Sequence, residues 1–165
     1  MSHRANLLAV RLEQGALALH GLASSLTEAE WQIRVPGDGR RVGVLVHHVA
    51  DVYPLEIELA LKMANGHAIE GVTWAAVHAM NARHATDHDE TGREVTLDLL
   101  LKNSAAAAAA VRALTDEQLD RAVTNSLYDD APVTCQFMLE DHAVRHSYHH
   151  MAVISRMLAA ARGVS

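Results

Sequence analysis

Residues 140–151 read EDHAVRHSYHHM, and the interpretation of the whole chain begins with this stretch. His142, His146 and His150 recur at every fourth position, so a helix with about 100° per residue stacks them along one face. Apolar residues between positions 144 and 158 extend that face into an amphipathic helix. Neutral imidazoles that face inward need hydrogen-bond partners or a metal ion, because unpaired burial of a polar group costs roughly 2–7 kcal/mol. The spacing alone leaves metal binding and an exposed histidine-rich face both open.

Apolar periodicity predicts helices along the rest of the chain. The predicted long helices cover residues 2–24, 42–65, 74–89, 97–114 and 135–161, and short helical turns are predicted at 28–31 and 115–117. Residues 126–132 are interpreted as a loop, and the pattern contains no β-hairpin signature. We therefore expect an all-α fold, an up-and-down four-helix bundle with one or two short extra helices, formed by residues 1–165 as one domain.

Composition excludes several classes of function. The net charge is -6 and the chain has no cluster of Lys and Arg, which argues against a nucleic-acid or anionic-membrane partner. No apolar run approaches the ~18 residues of a membrane span, and the N-terminus does not have the pattern of a signal peptide. The single cysteine, Cys135, excludes an intramolecular disulfide and a cysteine-rich zinc site. A cytoplasmic protein is expected.

The second long helix offers a third candidate metal ligand. Steps of three and four along this helix define a stripe that is expected to face the core: Leu45, His48, Val52, Leu55 and Leu59. His47 falls in a more polar sector and is expected to be exposed. His48, together with His146 and His150, would form a site of three imidazoles with open coordination positions, which is typical of catalytic rather than structural metal centres. Zinc suits three imidazoles best, although nickel, iron, manganese and copper also bind them.

Other metal-binding patterns are absent or weaker. No histidine has Glu three residues before it, as di-iron bundles require twice, and the zinc-protease pattern His-Glu-x-x-His is missing. His84 and His88 have the i, i+4 spacing, but polar neighbours on nearly every side indicate a solvated face or the rim of a cavity. The roles of His47, His142 and His149 stay open.

The segments VLVHHVA at residues 44–50 and HAVRHSYHHMAVI at residues 142–154 resemble the DinB-like superfamily, which includes bacillithiol and mycothiol S-transferases. The resemblance extends over essentially the whole chain. It implies that His48, His146 and His150 bind a divalent ion, zinc or nickel, and that the protein is a homodimer. Members often continue with Arg-Gly-Gln after the last histidine, where this chain has Met-Ala-Val.

The resemblance implies a metal-dependent enzyme that transfers a low-molecular-weight thiol to a small-molecule substrate. Cys135 precedes His146 by eleven residues on the predicted helix, about 16 Å at 1.5 Å per residue, so the reactive thiol would have to come from outside the chain. A metal-dependent hydrolase that uses water is the first alternative. A non-catalytic metal-binding or stress-associated dimer is the second. Asp51, Glu140 and Asp141 are only weak candidates for a general base.

Overall fold

A computed structural model describes residues 2–163. Its elements in the first part of the chain are α1 (His3–Ser24), α2 (Glu28–Gln32), α3 (Val42–Ala64), α4 (Trp74–Asp87), α5 (Arg93–Arg112) and α6 (Asp116–Asp120). They are followed by β1 (Ala122–Asn125), β2 (Ala131–Thr134), α7 (Cys135–Met138), a π-helical segment (Leu139–Val144) and α8 (Arg145–Ala161). The predicted four-helix bundle with short extra helices is confirmed. No helix among the described residues combines the length and apolar character needed to cross a bilayer.

The four long helices of the bundle are α1, α3, α5 and α8. Helix α1 packs against α5 and α8, and α3 packs against α5, α8 and the π-helical segment. Trp31 connects the starts of α3 and α5, because its indole N–H donates to the Thr91 carbonyl at 3.2 Å and its ring lies against Gly43. Further along, the Asn103 amide donates to the Ala50 carbonyl at 2.9 Å. Helices α3 and α5 therefore run in the same direction. Helix α4, which lies between them in the sequence, returns the chain to the end of the bundle where α3 began.

The core side of α3 differs from the predicted stripe. Val49, Tyr53, Ala60 and Met63 are each at most 1% exposed and form the core face of this helix. In the predicted stripe, Leu45 and His48 are buried, whereas Val52 and Leu59 are half-buried and Leu55 is exposed. The prediction fails here because the first turns of α3 are buried on all sides, while its later turns border a cavity that apolar side chains also line.

The prediction of no hairpin was wrong. Strands β1 and β2 pair in antiparallel register from Ala122 opposite Thr134 to Asn125 opposite Ala131. Asp129 and Asp130 turn the chain in the left-handed region, with φ of 52° and 57°, so the turn lacks the Asn-Gly or Asp-Gly pair that marks most hairpins in a sequence. Strands of four residues, one of which contains a proline, are also too short to give a clear alternating pattern.

The ends of most helices agree with the predicted ones. The Thr134 side chain accepts a hydrogen bond from the Phe137 amide and so caps α7, where the predicted last helix begins. Helix α5, however, begins at Arg93, one turn before the predicted start. Thr96 lies inside the helix, fully buried, with its hydroxyl 3.0 Å from that of Thr91.

Candidate metal centre

The structure brings the three predicted ligands together. His48 on α3 and His146 and His150 on α8 each offer a ring nitrogen, and these three atoms lie within 4.8 Å of one another. The Nε2 atoms of His48 and His146 are 3.2 Å apart. Two nitrogens bound to the same tetrahedral zinc ion at 2.0–2.1 Å would be about 3.3 Å apart. The pair is therefore already spaced as ligands of one ion.

Helix α8 supplies two of the ligands from one face. His146 and His150 are one turn apart, and their rings stack with centroids 5.0 Å apart. The π-helical segment Leu139–Val144 immediately precedes them and ends the uniform periodicity of the last helix. Single π turns occur frequently at functional sites. Here the segment changes the rotational phase of α8 relative to α7, which apolar periodicity does not reveal.

Glu56 contacts the site but is not among the predicted residues. Its Oε1 atom accepts a hydrogen bond from His146 Nδ1 at 2.7 Å, and the residue is 4% exposed. With the proton on Nδ1, the Nε2 atom of His146 keeps its lone pair for a metal ion. The sequence does contain a signal for this residue, because Glu56 interrupts the buried stripe of Val49, Tyr53 and Ala60 at heptad spacing.

Electrostatics favour neutral imidazoles at this site. The pKa of His48 is lowered to about 3, mainly by burial and also by the neighbouring His146 and Arg40. Burial also lowers the pKa of His150, and His146 and His48 act in the same direction. Neutral imidazole is the form that binds metal ions. The His150 Nδ1 atom is buried without a hydrogen-bond partner among the described residues. The donor set and this unpartnered atom fit a divalent cation.

A cavity of about 370 Å³ opens at the three histidines. Its apolar walls come chiefly from α3 and α4, through Val52, Leu55, Leu59, Trp74, Val77 and Met80. Arg40 and Arg145 are its cationic side chains. A cavity of this size and lining can hold a small organic molecule beside the metal centre.

Tyr128 is hydrogen-bonded to Asp141 and His142, two of the side chains that line this cavity. The Tyr128 hydroxyl donates to Asp141 Oδ2 at 2.7 Å and lies 3.0 Å from His142 Nε2. Since the tyrosine proton goes to the carboxylate, His142 Nε2 donates to the tyrosine oxygen and Nδ1 is its basic nitrogen. Burial lowers the pKa of His142, which favours the neutral form of the ring.

Cys135 does not take part in the site. It is fully buried, and its thiol donates to the Ala60 carbonyl at 3.3 Å. Burial raises the pKa of this thiol to about 11. A neutral, enclosed thiol is neither a nucleophile nor a metal ligand at pH 7.

The sequence profile of the DinB superfamily matches residues 11–154, which is most of the chain. The chain belongs to the DinB superfamily. One similar structure is that of YfiT from Bacillus subtilis, described as a probable metal-dependent hydrolase with an unusual four-helix bundle topology. The two chains superpose with a TM-score of 0.79 at 20% identity, over 100% of this chain and 91% of YfiT. At 20% identity, this structural similarity is evidence for the fold alone. A search of curated proteins finds no match.

Three further histidines of this DinB superfamily member lie where the predictions did not place them. His47 was expected to be exposed, but it is 6% exposed. His84 and His88 are half-buried beside it and not on a solvated face. The reason is that α4 packs across the polar sector of α3, so the polar side chains of the two helices face each other. His142 and His149, whose roles the sequence leaves open, line the cavity.

Proposed function

We propose that this DinB superfamily protein is an enzyme that binds a divalent metal ion, zinc or nickel, through His48, His146 and His150. The observation that carries the proposal is a set of three buried or half-buried imidazoles, spaced as ligands, at the wall of a cavity of about 370 Å³. When bound, such an ion supplies Lewis acidity, which lowers the pKa of a coordinating thiol or water. Glu56 orients the His146 ring and leaves its Nε2 atom free to bind.

The nucleophile of the proposed reaction comes from outside the chain. The described residues that line the cavity include no Cys, Ser, Thr or Lys, and Cys135 is enclosed in the core. We propose that the nucleophile is a low-molecular-weight thiol and that the reaction transfers it to a small substrate. The apolar walls suit the organic part of that substrate.

The position of Arg40 favours a thiol cosubstrate that carries a carboxylate. Its side chain lines the cavity and is held by Asp38, with Arg40 Nε 2.7 Å from Asp38 Oδ1. The positive charge of this guanidinium group at the cavity wall attracts a carboxylate.

A metal-dependent hydrolase is the second candidate, and the hydrogen-bonded group of Tyr128, Asp141 and His142 favours it. A neutral His142 held by Tyr128 can accept a proton from a water molecule in the same cavity. The description of YfiT as a probable metal-dependent hydrolase points in the same direction.

The two reactions can be separated in one assay. The untagged protein is loaded with zinc or nickel and incubated with an electrophile, in the presence and in the absence of a carboxylate-bearing thiol. Thiol consumption that is lost in His146→Ala and kept in His67→Ala, a change of an exposed histidine, is the expected result. Product release without thiol would favour the hydrolase, and metal binding without either activity would favour a non-catalytic metal-binding protein. A wild-type protein that binds no metal would refute all three.

Homodimer formation and a cytoplasmic location stay predictions. Light scattering tests the first, because a dimer has twice the chain mass of 17.9 kDa.

A further inference from the structure

A second group of three histidines lies outside the cavity, and we call it the α4 triad. It consists of His47 on α3 and of His84 and His88 at the C-terminal end of α4. Each residue offers a ring nitrogen, and the three atoms lie within 4.8 Å of one another. His47 Nδ1 and His84 Nε2 are 2.9 Å apart, and the His47 and His88 rings stack with centroids 4.0 Å apart.

The α4 triad repeats the construction of the candidate metal centre. In both groups, α3 supplies one histidine and a neighbouring helix supplies two at i, i+4 spacing. His47 and His48 are consecutive, so their side chains leave α3 about 100° apart. One therefore faces α4 and the other faces α8.

Burial and the available donors suit a metal ion. His47 is 6% exposed and the His84 side chain is 9% exposed, so water competes little for these nitrogens. The Asp51 carboxylate lies one turn after His47, with Oδ2 at 3.9 Å from His84 Nε2, but it is not within 4.8 Å of all three histidine nitrogens, so it would have to move closer to become a fourth ligand. Three imidazoles and one carboxylate form a closed tetrahedral set for zinc, which is the arrangement of structural sites.

The weak packing of α4 indicates a structural role for such a site. This helix contains no fully buried residue, so few apolar contacts hold it to the bundle. Yet Trp74, Val77 and Met80 on α4 form a wall of the cavity. A metal ion between α3 and the end of α4 would fix that wall in place.

We propose that His47, His84 and His88, with Asp51, form a second, structural site for a divalent transition-metal ion that fastens α4 to α3. This site is distinct from the one at His48, His146 and His150 and does not depend on the proposed reaction.

Metal stoichiometry tests the proposal. The untagged protein is freed of metal with a chelator, titrated with zinc alone, dialysed and measured by mass spectrometry. Wild type should hold two equivalents, and the His84→Ala and His88→Ala variants should each hold one. His146→Ala should also hold one equivalent, because it retains the α4 triad. His78→Ala, which removes an exposed histidine on the same helix, should hold two.

Hydrogen exchange gives a second readout that does not depend on the first metal centre. Adding zinc to His146→Ala should slow amide exchange in α4 by at least tenfold, whereas adding it to the His84→Ala/His146→Ala double variant should not. Variants are compared only when their helical circular dichroism matches that of wild type. His88→Ala, at the C-terminal end of α4, replaces His84→Ala if the latter does not fold.

The outcomes separate this proposal from the proposed function. One equivalent that is kept in His84→Ala and His88→Ala but lost in His146→Ala would overturn the second site and leave the first in place. One equivalent lost in His84→Ala and kept in His146→Ala would support the second site and remove the basis of the proposed enzyme. Loss of an equivalent in His78→Ala, or no bound metal in wild type, would overturn the second site.

Discussion

Replacing Glu56 should weaken metal binding without weakening the metal-free fold. The carboxylate accepts from His146 Nδ1 at 2.7 Å, and its side chain is 5% exposed, so bulk water cannot take its place. Removing such a carboxylate behind a ligating histidine typically lowers metal affinity 10- to 100-fold, about 1.4–2.8 kcal/mol. We expect Glu56→Gln near the lower value, because its amide oxygen can still accept the hydrogen bond, and Glu56→Ala near the upper one.

The metal-free state distinguishes a specific effect from simple unfolding. Glu56 Oε2 is buried and has no hydrogen-bond partner among the described residues, which is unfavourable for a carboxylate in the absence of a nearby cation. In chelator, Glu56→Gln should therefore unfold at the same urea concentration as wild type or at a higher one.

The assay is a zinc titration in competition with a chromophoric chelator, together with urea unfolding of the metal-free protein. Glu58→Gln is the matched control, because Glu58 lies two residues further along the same helix and is exposed. Unchanged zinc affinity in Glu56→Gln and Glu56→Ala would refute the role of this carboxylate in orienting His146. An equal loss in Glu58→Gln would show that the effect is one of overall charge.

The metal-free protein should lose stability as the pH falls below about 6.5. Burial lowers the pKa of His48 from 6.5 to about 3, so the unfolded chain binds more protons between these values and is favoured. At pH 5 this one group lowers the free energy of unfolding by about 2 kcal/mol. In urea unfolding, His48→Gln should therefore lose about 2 kcal/mol less than wild type when the pH falls from 7 to 5. A Cβ atom on Gly15 would lie 2.8 Å from the Tyr148 ring, whereas one on Gly21 of the same helix would contact nothing. Gly15→Ala should therefore lower the unfolding free energy by about 1 kcal/mol, and Gly21→Ala should raise it by about 0.5 kcal/mol, in thermal unfolding. Equal shifts in the two glycine variants would contradict the packing argument.

The helices were predictable from the sequence because their ends carry local signals. Thr27 and Glu30 have the spacing of a capping box and form one, and the Thr134 side chain caps α7. The hairpin and the π-helical segment were not predictable by the same means. The hairpin turns through Asp129 and Asp130 without glycine. The π-helical segment differs from an α-helix by one extra residue in a turn, and its amino-acid composition does not reveal this.

The proximity of the three candidate ligands was predictable from two patterns, although the apolar stripe that selects His48 also places His47, which is equally buried, in an exposed sector. Apolar periodicity and the family resemblance both select His48, His146 and His150, and the structure brings the three together. Glu56 was missed because a charged residue within an apolar helix is usually taken to mark its solvent side. Here the buried stripe continues on both sides of it, and the proton donor lies on a distant part of the chain.

The α4 triad shows where inference from periodicity reaches its limit. Periodicity separates the apolar sector of a helix from the polar one, but it does not say whether the polar sector meets water or another polar helix. His47 on α3 and the pair His84 and His88 on α4 face each other across one interface. The sequence of either helix alone therefore indicates a face exposed to solvent. Because α4 has no fully buried residue, few apolar contacts hold it, and the polar interface is expected to contribute. The position of the cavity wall then depends on what joins these histidines, which is why metal content and exchange of the α4 amides need to be measured together.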